Sequence, residues 1–499
     1  MLISTILSQF SSNGISRLAR ALTLFAACST ALIAYASQTV RAEFSPANGG
    51  ISAARNTSGD VLRSRTMCYV MVEFLFNYNG STDKIYAAGT LWDSSGIVLL
   101  SPVDMPAFSR ASSFSDFRVY YKGCKIGGLK ARYLGSDAIS ELHFVKIEDP
   151  LPRELLPVKN LPLAELKTAD RTFGFNLETF GGAALRANYL ESYVSNTFGG
   201  AHKKIQLASG VSIGAGAVFA SDGAFAGIAV HNVFEKALLH AEDGMPIPVS
   251  IERPTNNLVF AAADIPEIVG RIPKTPNTDI CGWIGVANTG VIKADAAEAM
   301  GLENAATRAY ISVGDIFKNS PAAAAGIKSG DIITDINGVP FERFEAEFQS
   351  LEDFSARIKK LAPNSSAEFG VFEGAKRRAV RVNIATSPTR LPYSKTHYFE
   401  KFGFSIRELT MEDSAELRIL DSSARGAVVE YVRENGAANE NESAFLSADE
   451  RILEVNSLPV KSYAAAVAVL QKAESDSGEA VILTENLDGT KLVKIKAKK

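Results

Sequence analysis

The sequence has few of the residues on which enzyme chemistry most often depends. Its 499 residues include only 4 cysteines, 5 histidines and 2 tryptophans. It contains no GxxxxGK(S/T), HExxH or CxxC motif, so no metal and no cofactor is expected. The 52 basic and 55 acidic residues give a net charge of −3 with no block of one sign. No nucleic-acid partner is therefore expected.

Long apolar runs are also scarce. The stretch Ala21–Ala36 follows Arg17 and Arg20 and is too short to span a bilayer comfortably. We interpret residues 1–42 as a signal peptide cut after Ala42, with Ala36 as the other candidate site and an uncleaved anchor as the alternative. The body of the protein is then exported, periplasmic or extracellular, and meets a membrane only through this segment if it stays uncleaved.

Three cysteines remain after such a cut, an odd number in a compartment that permits disulfides. Cys68 and Cys124 lie in strand-like runs of the same predicted domain, so they are the expected pair if a bridge exists. The alternative is three buried free thiols, with Cys281 the third.

The chain divides into three stretches with different patterns, as its length predicts at about 100–200 residues per domain. After a linker at 43–62, residues 63–270 form short β-branched and aromatic runs broken by turn residues, which predicts an all-β barrel or sandwich. The proline-containing segment 271–280 marks a boundary. Residues 281–386 and 397–499 then repeat one order of strands and a helix at a spacing of roughly 115 residues.

The first repeat contains Ser320-Pro321-Ala322-Ala323-Ala324-Ala325-Gly326-Ile327-Lys328-Ser329-Gly330-Asp331, followed by Asn337-Gly338, which resembles a bacterial PDZ domain. Pro321 can start a short helix, Gly326 can end it, and Asn337-Gly338 can form a tight hairpin. The resemblance implies a groove that binds peptides or unfolded proteins by strand addition and receives their C-terminal carboxylates. The expected peptide-binding residues are Gly282, Trp283, Ile284 and Gly285 in the loop, and Phe354 and Ile358 on a helical wall.

That groove has an alternative use, in which it is occupied internally or packs against a neighbouring domain. The second repeat resembles the first but lacks most of its turn glycines. Its Lys401-Phe402-Gly403-Phe404 still resembles the loop before the binding strand. We expect a degenerate PDZ-like fold there, and leave ligand binding open.

A β domain before two PDZ-like modules resembles the HtrA/Deg family of trypsin-fold serine proteases. Gly96–Leu100 resembles the strand before the catalytic histidine, Glu141–Ile147 the aspartate strand, and Ser221–Ile228 the hairpin after the serine. The resemblance implies a mainly β multidomain fold, a trypsin-like double β-barrel followed by two α+β PDZ-like domains. It also implies homo-oligomers, or hetero-oligomers with family relatives.

In this register the catalytic triad is degenerate, so no catalytic residues are assigned. Val103 stands at the histidine position, Glu141 at the aspartate position and Gly214 at the serine position. A serine hydroxyl is a weak nucleophile without a general base. Ser209 or Ser212 could act only if His202 or His231 supplied the imidazole from elsewhere.

The leading hypothesis is an HtrA/Deg-like pseudoprotease that binds peptides or protein C-termini as an adaptor, chaperone-like holder or regulatory subunit. The rival is an active serine endopeptidase of protein quality control with a displaced catalytic apparatus. A third possibility is a purely structural protein of a larger envelope assembly.

Overall fold

The computed structural model describes residues 55–105, 110–124, 127–180, 184–230, 235–240, 246–251, 257–275, 281–373, 376–439, 445–476 and 478–497. In this part of the chain two closed six-stranded β-barrels are followed by two smaller α+β modules. The prediction of a mainly β protein with a trypsin-like double barrel is confirmed. The predicted signal peptide, residues 1–42, lies outside the described residues.

The first barrel has six strands. Its strands are β1 (Tyr69–Tyr78), β2 (Ser81–Leu91), β3 (Ile97–Leu100), β4 (Phe114–Tyr120), β5 (Leu129–Ser136) and β6 (His143–Ile147). They close in the order β1-β2-β3-β6-β5-β4. The Phe74 ring stacks on Phe117 with centroids 5.0 Å apart and meets Phe114 edge-on at 5.3 Å. Aromatic side chains of neighbouring strands thus fill this barrel.

The second barrel also has six strands, and a separate two-stranded hairpin is inserted in its chain order. Its chain order is β7 (Arg171–Phe180), β8 (Ala184–Phe198), β9 (Lys204–Leu207), β10 (Ala217–Ala220), β11 (Phe225–Val230), the separate hairpin β12 (Glu235–His240) and β13 (Pro246–Ile251), and β14 (Leu258–Ala261). The barrel closes in the order β10-β11-β14-β9-β8-β7.

Two hydrogen-bonding side chains join the barrels. The Tyr69 hydroxyl is fully buried, donates to the carbonyl oxygen of Ala217 and accepts from the Phe175 N–H at 3.1 Å. Thr90 Oγ1 donates to the carbonyl oxygen of Ala215 at 2.7 Å. The loop before β10 is therefore fixed against the first barrel.

The predicted linker differs from the structure over its last residues. Helix α1 (Arg55–Arg65) extends through residues 55–62, and the rest of the predicted linker lies outside the described residues. Arg65 Nε donates to the Gly223 carbonyl oxygen at 2.7 Å, and its guanidinium carbon lies 6.0 Å from the centre of the Phe219 ring. These contacts hold the helix on the second barrel, which a polar sequence pattern does not indicate.

The first α+β module begins after α2 (Ile265–Gly270). Its helices are α3 (Ala294–Ala299), α4 (Pro321–Ala324) and α5 (Glu347–Lys360). Its strands are β15 (Gly282–Trp283), β16 (Val286–Ala287), β17 (Gly290–Val291), β18 (Arg308–Ala309), β19 (Ile311–Ser312), β20 (Asp315–Ile316), β21 (Ile332–Ile336), β22 (Val339–Glu342), β23 (Ser366–Glu373), β24 (Lys376–Asn383) and β25 (Ala385–Thr386). The predicted turns form: Gly326 follows α4 with φ +79°, and Asn337 and Gly338 connect β21 to β22 with φ +52° and +75°.

The second module repeats the first. Its helices are α6 (Met411–Glu416) and α7 (Tyr463–Asp476), and its strands are β26 (Thr396–Phe399), β27 (Phe404–Glu408), β28 (Ala427–Val432), β29 (Arg451–Val455), β30 (Leu458–Pro459), β31 (Glu479–Asn486) and β32 (Gly489–Lys496). Helices α5 and α7 each have 14 residues, and a hairpin of two 8-residue strands follows each. The predicted internal repeat is therefore present in the structure.

The second module makes two of its tight turns without glycine. Asp449 has φ +66° before β29, and Asn456 and Ser457 have φ +51° and +61° between β29 and β30. Asn and Asp tolerate this left-handed conformation better than other residues with a side chain. The fold therefore persists although the turn glycines are gone.

The three described cysteines are free thiols, so the structure has no Cys68–Cys124 bridge. Cys68 and Cys281 are buried, as the alternative requires, whereas Cys124 is only partly buried. Cys68 is fully buried at the start of the first barrel, whereas Cys124 lies in the turn after β4. Burial raises the pKa of the Cys68 thiol to about 12, which suppresses the reactive thiolate.

Candidate functional site: the inter-barrel cleft and the first PDZ groove

The cleft between the barrels lies where strand β3 ends. The chain leaves β3 in a short turn, Pro102–Asp104, which points the Val103 side chain to solvent with 47% of its surface exposed. A valine here offers neither a proton acceptor nor a donor.

Gly214 lies opposite this turn, in the loop before β10, with φ +55°. A methyl group built on Gly214 would overlap the Asp104 Oδ2 atom and the carbonyl oxygen of Ala88. Two independent constraints therefore act on this position, since left-handed backbone strains an L-residue and no volume is free for its side chain.

Asp104 is the functional candidate that the sequence reasoning missed. Its carboxyl is largely buried, and Oδ2 has no hydrogen-bond partner among the described residues. Burial raises the pKa of this carboxyl to about 7, because charge is costly away from water. The signal available in the sequence was an acidic residue inside the otherwise uncharged run Ser101–Met105.

Around Asp104 the cleft encloses about 470 Å³. Its other lining residues are Met71, Tyr86, Ala88, Leu177, Glu178 and Ile213. Tyr86 and Ile213 are 51% and 37% exposed, so the cleft is open to solvent and its walls are part apolar and part polar. Such a surface suits contact with polypeptide, and its acidic groups are Asp104 and Glu178.

Glu141, the residue at the aspartate position, is exposed and adopts φ +61° just before β6. The turn is organised by its neighbour Asp137, whose carboxylate accepts from the Ser140 N–H at 2.9 Å and pairs with Arg271 at 2.7 Å. Hydrogen bonds and the charge of Arg271 outweigh burial and hold the pKa of Asp137 below its usual range. Asp137 thus has a structural role, because its oxygens are engaged by the turn and by Arg271.

Each described histidine has partners other than a serine hydroxyl. His143 Nδ1 lies 2.6 Å from the Tyr133 hydroxyl, and burial lowers the pKa of His143 to about 4. His202 Nε2 lies 3.1 Å from Arg271 Nη2, and His397 Nε2 lies 3.2 Å from Gln471 Nε2. His231 and the side chain of His240 lie outside the described residues.

The two loop serines bond to other groups. Ser209 Oγ donates to Ser192 Oγ at 3.1 Å, and Ser212 Oγ lies 3.2 Å from the carbonyl oxygens of Phe175 and Ile213. The structure therefore does not join Ser209 or Ser212 to His202 as a nucleophile and base.

The predicted peptide-binding residues of the first PDZ module lie together. Ile284, Phe354 and Ile358 share one apolar cluster, with 1%, 3% and 7% of their surfaces exposed. Gly282 packs so closely on the C-terminal turn of α5 that a methyl group would overlap the carbonyl oxygens of Ile358 and Leu361. The loop and the helical wall are thus held against each other.

Gly285 takes a conformation that favours glycine. Its φ is +85°, and a methyl group there would overlap the Cβ of Ser320. The carbonyl oxygens of Gly285 and Ile284 accept from the Phe317 and Ala322 N–H groups at 3.0 and 2.8 Å. Trp283 is partly buried, and its ring lies 6.2 Å from that of Phe317.

Comparison with known proteins agrees with this architecture. A family model described as "PDZ domain" matches residues 298–384. A "Probable periplasmic serine endoprotease DegP-like" of Rhizobium meliloti is 27% identical over 215 residues, which is 42% of this chain and 40% of the relative. The same description applies to a Brucella suis relative, 28% identical over 243 residues, 48% of this chain and 44% of the relative. The chain is therefore similar in sequence to DegP-like serine endoproteases of the HtrA/Deg family.

The chain spans less than half the length of those two relatives. A Pseudomonas fulva relative of the same description is 26% identical over 324 residues, 62% of this chain and 60% of the relative. The solved structure "HtrA-type protease AlgW with decapeptide" is 15% identical, with a TM-score of 0.47 over 66% of this chain and 98% of that one. The PDZ match begins after the loop 282–285, so the peptide-binding assignment stays a prediction.

Two further observations limit the chemistry of the described part of the chain. No three His, Cys, Asp or Glu side chains there converge as metal ligands. No helix there is both long enough and apolar enough to cross a membrane.

Proposed function

We propose that this HtrA/Deg protein binds polypeptide without cutting it. In this proposal the barrels form a rigid platform and the first PDZ groove captures peptides or protein C-termini. The protein would act outside the cytoplasm, in the periplasm in view of its relatives' descriptions, as an adaptor, chaperone-like holder or regulatory subunit. Oligomers with itself or with active relatives are part of this proposal.

The observation that carries the proposal is the geometry at Gly214. The position that resembles the nucleophile has left-handed backbone and is closed by Asp104 and the Ala88 carbonyl. An acyl-transfer site needs a hydroxyl, a base beside it and room for the tetrahedral intermediate. Val103 and Gly214 supply neither hydroxyl nor base, and Asp104 occupies the adjacent room.

A proteolysis assay tests the absence of cleavage. The full chain is incubated with casein and, separately, with a fluorophosphonate probe, with an active DegP-like relative as the positive control. We expect no cleavage and no labelling. Casein cleavage that Ser212→Ala or Ser209→Ala abolishes would establish the endopeptidase instead.

A restoration variant strengthens this test. Gly214→Ser supplies the hydroxyl, and Val103→His with Gly214→Ser supplies both groups. We expect both variants to remain inactive, because the new Cβ collides with Asp104 and Ala88 and strains the backbone. Recovery of casein cleavage in either variant would show that the loop accepts a nucleophile.

Peptide capture is tested separately by fluorescence anisotropy. Labelled decapeptides with apolar C-terminal residues are titrated with the full chain, and matched peptides carry a C-terminal amide. We expect dissociation constants on the order of micromolar for the free carboxylates and at least tenfold weaker binding for the amides. Equal affinity for both forms would contradict a carboxylate-binding groove.

A further inference from the structure

The second PDZ-like module has a fully paired binding strand. Strand β27 pairs with β28 on one edge and with β26 on the other. The register places Phe399 opposite Phe404, Tyr398 opposite Ser405, His397 opposite Ile406 and Thr396 opposite Arg407. A strand has only two edges for hydrogen bonding, so no further strand can be added to β27.

Segment β26 also meets the helix that lines the groove. Phe399 is fully buried in the apolar cluster of this module, which includes Leu470 and Ala473 of α7. His397 points to the same side, with its Nε2 atom 3.2 Å from Gln471 Nε2 of that helix. Because side chains alternate along a strand, His397 and Phe399 face the helix as alternate residues of a bound peptide would.

The loop that would receive a peptide carboxylate already has one. The backbone N–H of Lys401 donates to Glu474 Oε1, on helix α7, at 2.8 Å. A second loop donor, the N–H of Gly403, donates to the carbonyl oxygen of Phe399 at 2.8 Å. Both donors are thus satisfied by groups of the same module.

Residues just before β26 fix this strand to the first barrel. Arg110 Nε and Nη2 donate to the carbonyl oxygen and Oγ of Ser394 at 2.5 and 3.0 Å. Arg110 Nη1 pairs with Glu430 at 2.6 Å, with only 4% of either side chain exposed. Thr396 Oγ1 donates to the same Glu430 carboxylate. The strand cannot leave the groove without disturbing this buried network.

We propose that Thr396–Phe399 is an intramolecular ligand that permanently fills the groove of the second PDZ-like module, with Glu474 in the role of the peptide carboxylate. The second module is then a docking element of the first barrel. Peptide capture belongs to the first module alone. The occupancy of the second groove does not depend on whether the first module binds peptides, so the two proposals can fail separately.

Hydrogen exchange of the full chain, followed by mass spectrometry, tests the occupancy. We expect amides of residues 396–399 to exchange on the order of 100-fold more slowly than those of the outer strand β32. The probe is a hexapeptide copying residues 394–399, SKTHYF, with a free carboxylate. Saturating probe should leave this protection unchanged. Rapid exchange, or exchange accelerated by the probe, would overturn the proposal.

A gain-of-binding variant tests the same groove in the other direction. Phe399→Ala should empty the pocket, so that SKTHYF binds at a new site while its amidated form binds at least tenfold more weakly. Leu458→Ala is the control, because Leu458 lies on β30 in the same module and is 55% exposed. New binding by the control but not by Phe399→Ala would contradict the assignment.

If Phe399→Ala fails to fold, Glu474→Gln tests the proposal instead. Glu474 is only partly buried, so we expect this variant to fold. We expect faster exchange at the Lys401 amide in this variant, because an amide oxygen is a weaker acceptor than a carboxylate. Unchanged exchange at Lys401 would refute the role assigned to Glu474.

Discussion

The two PDZ-like modules share one fold and differ in what lies beside the binding strand. In the first, β15 pairs with the last strand β25, and β16 pairs with β20. In the second, the corresponding early strand β26 pairs with the binding strand β27 itself. The two modules thus differ in the path of four residues, Thr396–Phe399 in the second module. The first module keeps a candidate groove, whereas these residues fill the groove of the second.

The inter-barrel cleft shows a related kind of occupancy. There the Asp104 carboxyl lies against Gly214, in space that a side chain at that position would need. In the cleft and in the second module the chain's own groups stand where a nucleophile or a peptide would be expected. Only the first PDZ groove remains for an external peptide in our proposal.

We expect the largest effect from a substitution that disrupts the docking of the second module on the first barrel. Glu430→Gln leaves the Arg110 charge buried and uncompensated, which typically costs about 3–5 kcal/mol. We expect the second module to unfold at lower urea concentration and residues 396–399 to lose exchange protection. The control is Arg118→Ala, since the Arg118–Asp116 pair is exposed and worth less than about 1 kcal/mol. A Glu430→Gln effect as small as the control's would contradict the docking.

The next largest effect is a pH dependence of the free energy of unfolding, which we expect from Asp104 in the cleft and not from the second groove. The raised pKa of Asp104 makes the folded state bind a proton more tightly than the unfolded state. The stabilising contribution of the protonated Asp104 carboxyl is therefore fully present below about pH 4. It is lost as the pH rises to about 7 and the carboxyl ionises. Asp104→Asn should be more stable than wild type at pH 8, by on the order of 4 kcal/mol, and nearly equal at pH 4.

Urea unfolding of both proteins at pH 4, 6 and 8 measures this difference. The pKa of His143 is lowered to about 4, so the folded state becomes less stable as the pH falls and this histidine is protonated. This contribution is the same in both proteins and cancels in the comparison. Asp488→Asn, in an exposed turn, is the control. A stability difference that does not vary with pH would show that Asp104 titrates normally.

A matched pair of glycine substitutions tests which module binds peptide. Gly285→Ala forces a side chain onto Ser320 at φ +85°, and Gly403→Ala strains the corresponding loop at φ +73°. We expect Gly285→Ala to weaken decapeptide binding at least tenfold, about 1.4 kcal/mol, and Gly403→Ala to leave it unchanged. Anisotropy titrations, with circular dichroism to verify folding, give the result. Equal losses in both variants would remove the distinction between the modules.

The smallest effect is optical. The chain has 2 tryptophans: Trp92 is 3% exposed inside the barrel domain, and Trp283 lies partly buried beside the first groove. Peptide binding should change the emission of Trp283 slightly, and Trp283→Phe should abolish that change while Trp92→Phe preserves it. A change that survives Trp283→Phe would place the peptide elsewhere.

Much of the fold could be predicted from local patterns. Short β-branched and aromatic runs indicated the barrel strands, and Asn337-Gly338 and Gly326 indicated turns whose backbone only a few residue types tolerate. The candidate cleft was predicted less well, because Asp104 is important through its burial against Gly214 and not through any motif. The role of α1 was missed for a similar reason, since its contacts are with Gly223 and Phe219, far along the chain.

The sequence by itself determined an all-β first part, the repeated module and the absence of a histidine before the aspartate strand, because these follow from local composition and residue identity. The double barrel was expected only from the family resemblance. The tertiary structure alone decided which groove is filled. That outcome depends on Arg110 of the first barrel and on Ser394 and Glu430, which lie about 300 residues later in the sequence. These residues meet only when the second module docks. Burial then makes their pairing obligatory, since a charge enclosed without a partner is too costly to keep.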